Sequence, residues 1–178
     1  MATKKSTQTL HKLLAVTRIS LGFIFLWAFF DKLLGLGFGT CRDATANTVS
    51  TLCDSAWVSG GSPTTGFLKF GTSGPLADFY QSLAGNGFVD WVFMIGLLGI
   101  GLGLVLGIAM RLSTISGIAM MLLMYSAALL PENNPVIDDH IIYALVLAAI
   151  YAANDQQVFG YAKQWASLDI VKKFPFLR

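Results

Sequence analysis

Charged residues are scarce in this chain: only 12% of its 178 residues are Asp, Glu, Lys or Arg, and 54% are hydrophobic. Soluble globular domains usually carry about 25% charged residues. Residues 91–110 and 112–130 contain no charged residue at all. Each stretch reaches the roughly 20 residues that cross about 30 Å of hydrocarbon. The composition therefore excludes a water-soluble globule and predicts an integral membrane protein.

Cysteine and histidine are scarce as well. The two cysteines, Cys41 and Cys53, fall in one hydrophilic connection, and the two histidines are His11 and His140. No CxxC or zinc-ligand spacing occurs, and histidines at opposite ends of two helices cannot clamp one haem iron. No basic face is present for nucleic acid. We predict no metal site, no nucleic-acid partner and no cofactor evident from the residues themselves.

Four apolar segments predict the fold. The first follows a basic start, as in a signal peptide, but it exceeds the 7–15 residues of a signal core, so we expect it to stay uncleaved. The last follows a helix-breaking turn between Pro131 and Pro135. The prediction is an all-α integral membrane protein, a single domain over residues 1–178 with four transmembrane helices in a bundle. The predicted spans are 13–34, 89–110, 112–130 and 137–155.

The second predicted span carries Gly99, Gly103 and Gly107 at four-residue spacing. Glycines spaced in this way share one face of a helix and allow a neighbouring backbone to approach closely. We therefore predict a packing face along this stripe.

The connection between the first two spans, residues 35–87, is predicted to be a folded extracytoplasmic cap. Pro75 suits a first helical position and Gly85 a helix end, with apolar residues at helical spacing between them. The alternative is a plain solvated loop, which would leave four aromatic side chains exposed: Phe67, Phe70, Phe79 and Tyr80. Residues 156–178 mix aromatic residues with lysines, which is typical of a tail on an anionic inner leaflet.

Basic residues predict the orientation, because they accumulate on the cytoplasmic side of a membrane. With both termini cytoplasmic, nine basic residues lie inside and three outside. We therefore predict a multi-pass protein of the plasma membrane. The inner set is Lys4, Lys5, Lys12, Arg18, Arg111, Lys163, Lys172, Lys173 and Arg178, and the outer set is Lys32, Arg42 and Lys69.

The first and fourth spans have short uncharged cores, residues 19–30 and 141–153. At about 1.5 Å per residue each core covers only about 20 Å. Some flanking ionisable groups must then lie at hydrocarbon depth, where such groups face the bundle interior and pair. A tilted helix with snorkelling side chains is the alternative.

Two layers of charge follow if these two spans are antiparallel. The outer layer, Asp31, Lys32, Asp139 and His140, is our candidate ligand and proton site, because His140 can exchange protons near neutral pH. The inner layer is a predicted structural ion pair between Arg18 and Asp155. The alternative is that both layers only fix the register of the helices.

Cys41 and Cys53 are predicted to form a disulfide. The predicted topology places both in an oxidising compartment, and they are close enough in sequence to close a short loop. A free, redox-active pair is the alternative.

Three groups of residues, in this order and spacing, closely resemble the DoxX/DoxD family of small four-helix membrane proteins, over residues 13–155. They are Gly22-Phe23-Ile24-Phe25-Leu26-Trp27 followed by Lys32-Leu33, then Gly60-Gly61-Ser62-Pro63-Thr64 with Gly66-Phe67-Leu68, and finally Glu132-Asn133-Asn134-Pro135 with Asp139-His140.

The resemblance implies a redox role without catalytic residues to carry over. Some members of that family are the small membrane subunit of a thiosulfate:quinone oxidoreductase, and others are associated with thiol and oxidative-stress enzymes. We expect a membrane subunit handling quinone or small sulfur compounds, with quinone as the cofactor that such a role implies. The chain shows no site for an electron carrier, so such a reaction needs a bound cofactor or a partner, such as a soluble redox enzyme on the cytoplasmic side. The alternatives are a non-catalytic anchor or assembly factor, and a small-solute permease formed by a homo-oligomer.

Overall fold

The structure is a computed structural model that describes residues 2–43, 45–131, 134, 136–153 and 158–177. It is mostly helical, with 69% of the residues in helices. In chain order the elements are α1 (Ala2–Leu34), β1 (Arg42–Asp43), β2 (Thr48–Val49), α2 (Thr65–Phe70), α3 (Ala77–Ser82), α4 (Gly87–Leu106), α5 (Met110–Ala127), α6 (Asp139–Ala152), α7 (Ala162–Ser167) and α8 (Asp169–Lys173).

Three helices are long and apolar enough to cross a membrane: Ser6–Leu34 within α1, and the whole of α4 and α5. These helices confirm the membrane character expected from the long uncharged runs. The fourth apolar helix, α6, has only 14 residues. At about 1.5 Å per residue it is about 21 Å long, which is shorter than a usual hydrocarbon core.

The second predicted span ends earlier than expected and the third begins earlier, because the chain turns sharply between them. Gly107 has a φ of +68° and Ala109 a φ of +45°, so neither continues a helix. The amides of Gly107 and Ile108 both donate to the carbonyl of Gly103, at 2.9 and 3.1 Å. This pattern of bonds closes a helix end with glycine in the left-handed conformation. Residues 107–109, predicted to be helical, therefore form the turn from α4 to α5.

The predicted glycine stripe is wrong as a continuous packing face. A Cβ at Gly103 would collide with Ser113 of α5, so the two helices approach closely there. A Cβ at Gly99 would meet nothing within 4 Å, and Gly107 lies outside the helix. Only the middle glycine has the predicted role.

The described residues group into two compact units. The first comprises Met1–Phe25, Gly99–Leu122 and Asp139–Arg178. Its core includes Leu104, Leu147 and Val171, each fully buried. Gly117 of α5 lies against Leu147 of α6, because a Cβ there would come within 2.9 Å of that side chain.

The second unit comprises Leu26–Leu98 and Leu123–Asp138. It contains residues 35–86, which we call the connecting segment. Residues Ser73 and Ala128 form a parallel bridge, and the hydroxyls of Tyr80 and Ser126 are 2.5 Å apart. The rings of Trp57 and Trp91 meet edge to face at 4.6 Å. The connecting segment is therefore folded against neighbouring residues of its own unit. Whether a single domain spans the whole chain stays a prediction.

The helix predicted from Pro75 to Gly85 is present in a shorter form. A 3-10 turn, Gly74–Leu76, leads into α3, and Gly85 has a φ of +80°. The four aromatic side chains that the cap was expected to cover are buried only in part. Phe67 and Tyr80 are half-buried, whereas Phe70 and Phe79 remain 86% and 59% exposed.

Candidate functional site

Asp31, a member of the predicted outer layer, is buried at the end of α1. Its side chain is only 3% exposed. The carboxylate accepts hydrogen bonds from the amides of Phe38 and Gly39, at 3.0 and 2.8 Å. The chain can turn back in this way because Gly35 ends the helix with a φ of +67°. Two backbone amides thus satisfy the buried carboxylate of Asp31.

Lys32 is half-buried beside Asp31, and its ammonium lies 6.0 Å from the centre of the Phe93 ring. Gly39 is close to both charges: a Cβ there would lie 3.3 Å from Asp31 Oδ2 and 3.9 Å from Lys32 Nζ. No salt bridge joins Lys32 to a carboxylate of the described residues. The end of α1 therefore combines a satisfied carboxylate, an ammonium that keeps its donors, and an aromatic ring.

Asp139 and His140 form the start of α6, where Asp139 is exposed and His140 is half-buried. Both belong to the first compact unit, whereas Asp31 and Lys32 belong to the second. The site made of all four residues stays a prediction.

Arg18, of the predicted inner layer, is 1% exposed. Its guanidinium donates to the carbonyl oxygen atoms of Val158 and Phe159, at 3.4 and 2.5 Å. Asp155 lies outside the described residues, so the ion pair between Arg18 and Asp155 also stays a prediction.

The predicted disulfide is confirmed. Cys41 and Cys53 are joined, with their Cα atoms 5.8 Å apart. The closed loop holds the antiparallel hairpin of β1 and β2, and the amide of Leu52 donates to the carbonyl of Leu34 at 2.9 Å. The disulfide loop is thus attached to the end of α1.

Asp43 ends strand β1, directly before the turn of this hairpin. The amides of Ala46 and Thr45 donate to its carboxylate at 3.0 and 2.8 Å. These hydrogen bonds favour the charged form and so lower the pKa of Asp43 below its ordinary value of 3.8.

Asp90 is a polar centre that the sequence reasoning missed. It is 6% exposed in the first turn of α4 and accepts hydrogen bonds from the hydroxyls of Ser62 and Thr64, at 2.9 and 2.5 Å. The amide of Thr64 also donates to it, at 3.3 Å. An acid directly before a long apolar run was visible in the sequence. Its partners could not be identified, because they are 26 and 28 positions away. Asp90 fastens the connecting segment to α4.

Among the described residues, no three His, Cys, Asp or Glu side chains come together in a way that could hold a metal ion. Comparisons of the chain with protein-family models, with curated proteins and with solved structures found no match. The fold therefore defines the class only broadly, as a mostly helical protein with three helices able to span a membrane.

Proposed function

We propose that the chain is the membrane subunit of a redox system that handles quinone or small sulfur compounds, with its ligand site at the outer ends of α1 and α6. The observation that carries the proposal is the end of α1. Asp31 takes its hydrogen bonds from two backbone amides, and among the described residues Lys32 forms no salt bridge, so its ammonium can donate to another group. An ionisable group at the end of an apolar helix that keeps its donors is a functional candidate.

The chemistry around Lys32 suits either ligand class. An ammonium donates to a quinone carbonyl or to the oxygen atoms of a sulfur oxyanion, and a neighbouring aromatic ring such as Phe93 offers a face to a flat head group. Reduction of a quinone also consumes protons. His140 belongs to the proposed site because imidazole exchanges protons near neutral pH.

The proposed topology has four transmembrane helices in one bundle in the plasma membrane, with both termini cytoplasmic. The connecting segment forms an extracytoplasmic cap. The short α6 crosses the membrane with little tilt, and the polar residues at its two ends lie in the interfacial regions. Electrons enter or leave through a soluble redox enzyme on the cytoplasmic side. The four-helix arrangement is the one that the DoxX/DoxD resemblance implies, and the orientation follows from the basic residues.

The test compares Lys32, at the end of α1, with Lys69 of α2 in the purified full chain. Quinone extracted from the protein is quantified, and binding of ubiquinone-1 and of thiosulfate is titrated. We expect Lys32→Ala and His140→Ala to weaken binding of at least one ligand by tenfold or more. Lys69→Ala is the control, because Lys69 is an exposed residue of α2. Absence of binding, or equal binding by Lys32→Ala and Lys69→Ala, would contradict the proposal.

A non-catalytic anchor or assembly factor is the second candidate, and the surface of the C-terminal tail favours it. The described part of the tail exposes a set of apolar side chains beside three lysines, namely Phe159, Tyr161, Leu168, Ile170, Phe174 and Phe176 beside Lys163, Lys172 and Lys173. If this candidate is right, the double variant Lys172→Glu/Lys173→Glu loses a co-purifying redox activity. The wild-type protein then binds neither quinone nor thiosulfate.

A further inference from the structure

The connecting segment is bonded directly to the ends of α4 and α5, two of the helices that are long and apolar enough to cross a membrane. The amide of Ser73 donates to the carbonyl of Ala127, the last residue of α5, at 2.9 Å. The hydroxyl of Thr64 donates to Asp90 in the first turn of α4, at 2.5 Å. The part of the segment between these two attachments is therefore held at the ends of the two helices.

A contact with α5 orients α3. The hydroxyl of Tyr80 lies 2.5 Å from that of Ser126 in the last turn of α5, so the side of α3 that carries Tyr80 faces that helix. Successive residues of an α-helix are about 100° apart around its axis. Phe79 therefore lies to one side of this contact, and Asp78 lies on the side of α3 that faces away from α5. Both side chains are exposed, so an apolar and an acidic residue occupy different sides of the same helix.

An exposed apolar face of α4 begins at the same border. Phe88, in the first turn of α4, is 77% exposed, and Val92 and Ile95 are exposed as well. These residues follow one another at helical spacing, so they share one face of the helix. In a helix that crosses a membrane, an exposed apolar face lies against lipid. Phe88 therefore marks the end of the lipid-facing surface of α4.

Phe88 and three exposed apolar residues of the connecting segment form what we call the apolar rim. The three are Phe70, between the two attachments, Leu76, directly before α3, and Phe79. All four belong to elements that are bonded to, or begin at, the ends of α4 and α5. Exposed apolar side chains that gather at one level of a protein mark a surface of interaction.

We propose that the apolar rim lies in the interfacial region of the bilayer and anchors the connecting segment to the membrane surface. Its position at the ends of α4 and α5 gives it the depth of this region, where aromatic side chains are enriched. Phe88 belongs both to the rim and to the lipid-facing side of α4, and this continuity favours lipid over a second protein as the occupant. A surface-bound helix keeps its charged side in water and its apolar side in lipid, as Asp78 and Phe79 divide α3. The proposal needs only that α4 and α5 cross the membrane, and it does not rest on the redox function.

The test measures the depth of single nitroxide labels in the full chain, reconstituted into phosphatidylcholine vesicles. The labels are attached to Phe79→Cys and Phe70→Cys. The reaction contains no reductant, so the disulfide between Cys41 and Cys53 stays closed and only the introduced cysteine is labelled. Collisions of each label with oxygen, which concentrates in lipid, are compared with its collisions with a water-soluble nickel chelate.

We expect the ratio of oxygen to nickel collisions at both rim positions to exceed the ratio at Asp78→Cys severalfold. Asp78→Cys is the matched control, because Asp78 is an exposed residue of α3 next to Phe79. Ile95→Cys, on the lipid-facing side of α4, provides the ratio for full contact with lipid.

Equal ratios at Phe79→Cys and Asp78→Cys would overturn the proposal, because the rim would then face water. Labels that are shielded from both reagents, or that couple magnetically to a second label, would also overturn it, since a protein surface or a second copy would then cover the rim. A water-exposed label at Ile95→Cys would remove the premise that α4 crosses the membrane. The outcome is separable from the redox function, because the experiment contains neither quinone nor thiosulfate.

Discussion

Three glycines of the second predicted span are equally spaced in the sequence but have different structural roles. Gly103 permits the close approach of α5 at Ser113, and Gly107 supplies a left-handed helix end beside Arg18. Gly99 faces open space within the described chain. Spacing alone cannot distinguish these roles, because they depend on what lies opposite each residue.

Gly107→Ala should therefore destabilise the protein, whereas Gly99→Ala should not. A left-handed alanine costs about 1–2 kcal/mol, and crowding of the buried Arg18 adds about 1–3 kcal/mol. Gly99→Ala should change the free energy of unfolding by less than about 1 kcal/mol. Unfolding in detergent by chemical denaturant measures both. Equal losses for the two variants would contradict the assignment of Gly107 to the turn.

A second residue-scale prediction concerns Asp90. Replacement by Ala leaves the donors of Ser62 and Thr64 without their acceptor, so it should cost about 1–3 kcal/mol. Limited proteolysis should then cut the connecting segment faster. Asp78→Ala is the control, because Asp78 is an exposed acid in the first turn of α3. If proteolysis accelerates equally in both variants, the hydrogen bonds of Asp90 do not hold the connecting segment against α4.

At the scale of elements, long uncharged runs predicted α4 and α5, because only length and apolarity are needed to mark a membrane-spanning helix. The helix ends were less predictable. The positive φ values at Gly107 and Ala109 end α4 inside an uncharged run, where neither length nor apolarity marks the end. The hairpin of β1 and β2 was not predicted, since strands of two residues carry no periodicity.

The disulfide should be the main stabilising feature of this hairpin region. It closes a loop with a sequence separation of 12 residues, which corresponds to roughly 3 kcal/mol in the chain-entropy description. Reduction should therefore increase proteolysis of the connecting segment in the wild-type protein. The double variant Cys41→Ser/Cys53→Ser should be cut rapidly with or without reductant. Titration of two free thiols in folded, unreduced protein would count against a structural disulfide.

At the scale of the whole molecule, the charge asymmetry is read directly from the sequence, whereas the described contacts of Arg18 and Lys32 were not predicted. Antiparallel spans predicted charged partners for Arg18 and Lys32. In the described chain Arg18 contacts backbone carbonyls and Lys32 lies near an aromatic ring. Backbone carbonyls and aromatic rings carry no net charge, so a pattern of charged residues could not indicate these contacts.

The remaining prediction is the orientation in the membrane. The inner set of nine basic residues predicts that both termini are cytoplasmic and that the disulfide loop is outside. After mild reduction, a membrane-impermeant maleimide should label Cys41 or Cys53 in intact cells. The label reports on the disulfide loop alone, because the chain has no other cysteine. A reporter fused after Arg178 should be active only in a form that works in the cytoplasm. As a matched control, the protein with both cysteines replaced by Ser should take up no label. An externally active reporter, with labelling only after cell lysis, would reverse the orientation, and the cap would then face the cytoplasm, where its disulfide would be exposed to reduction.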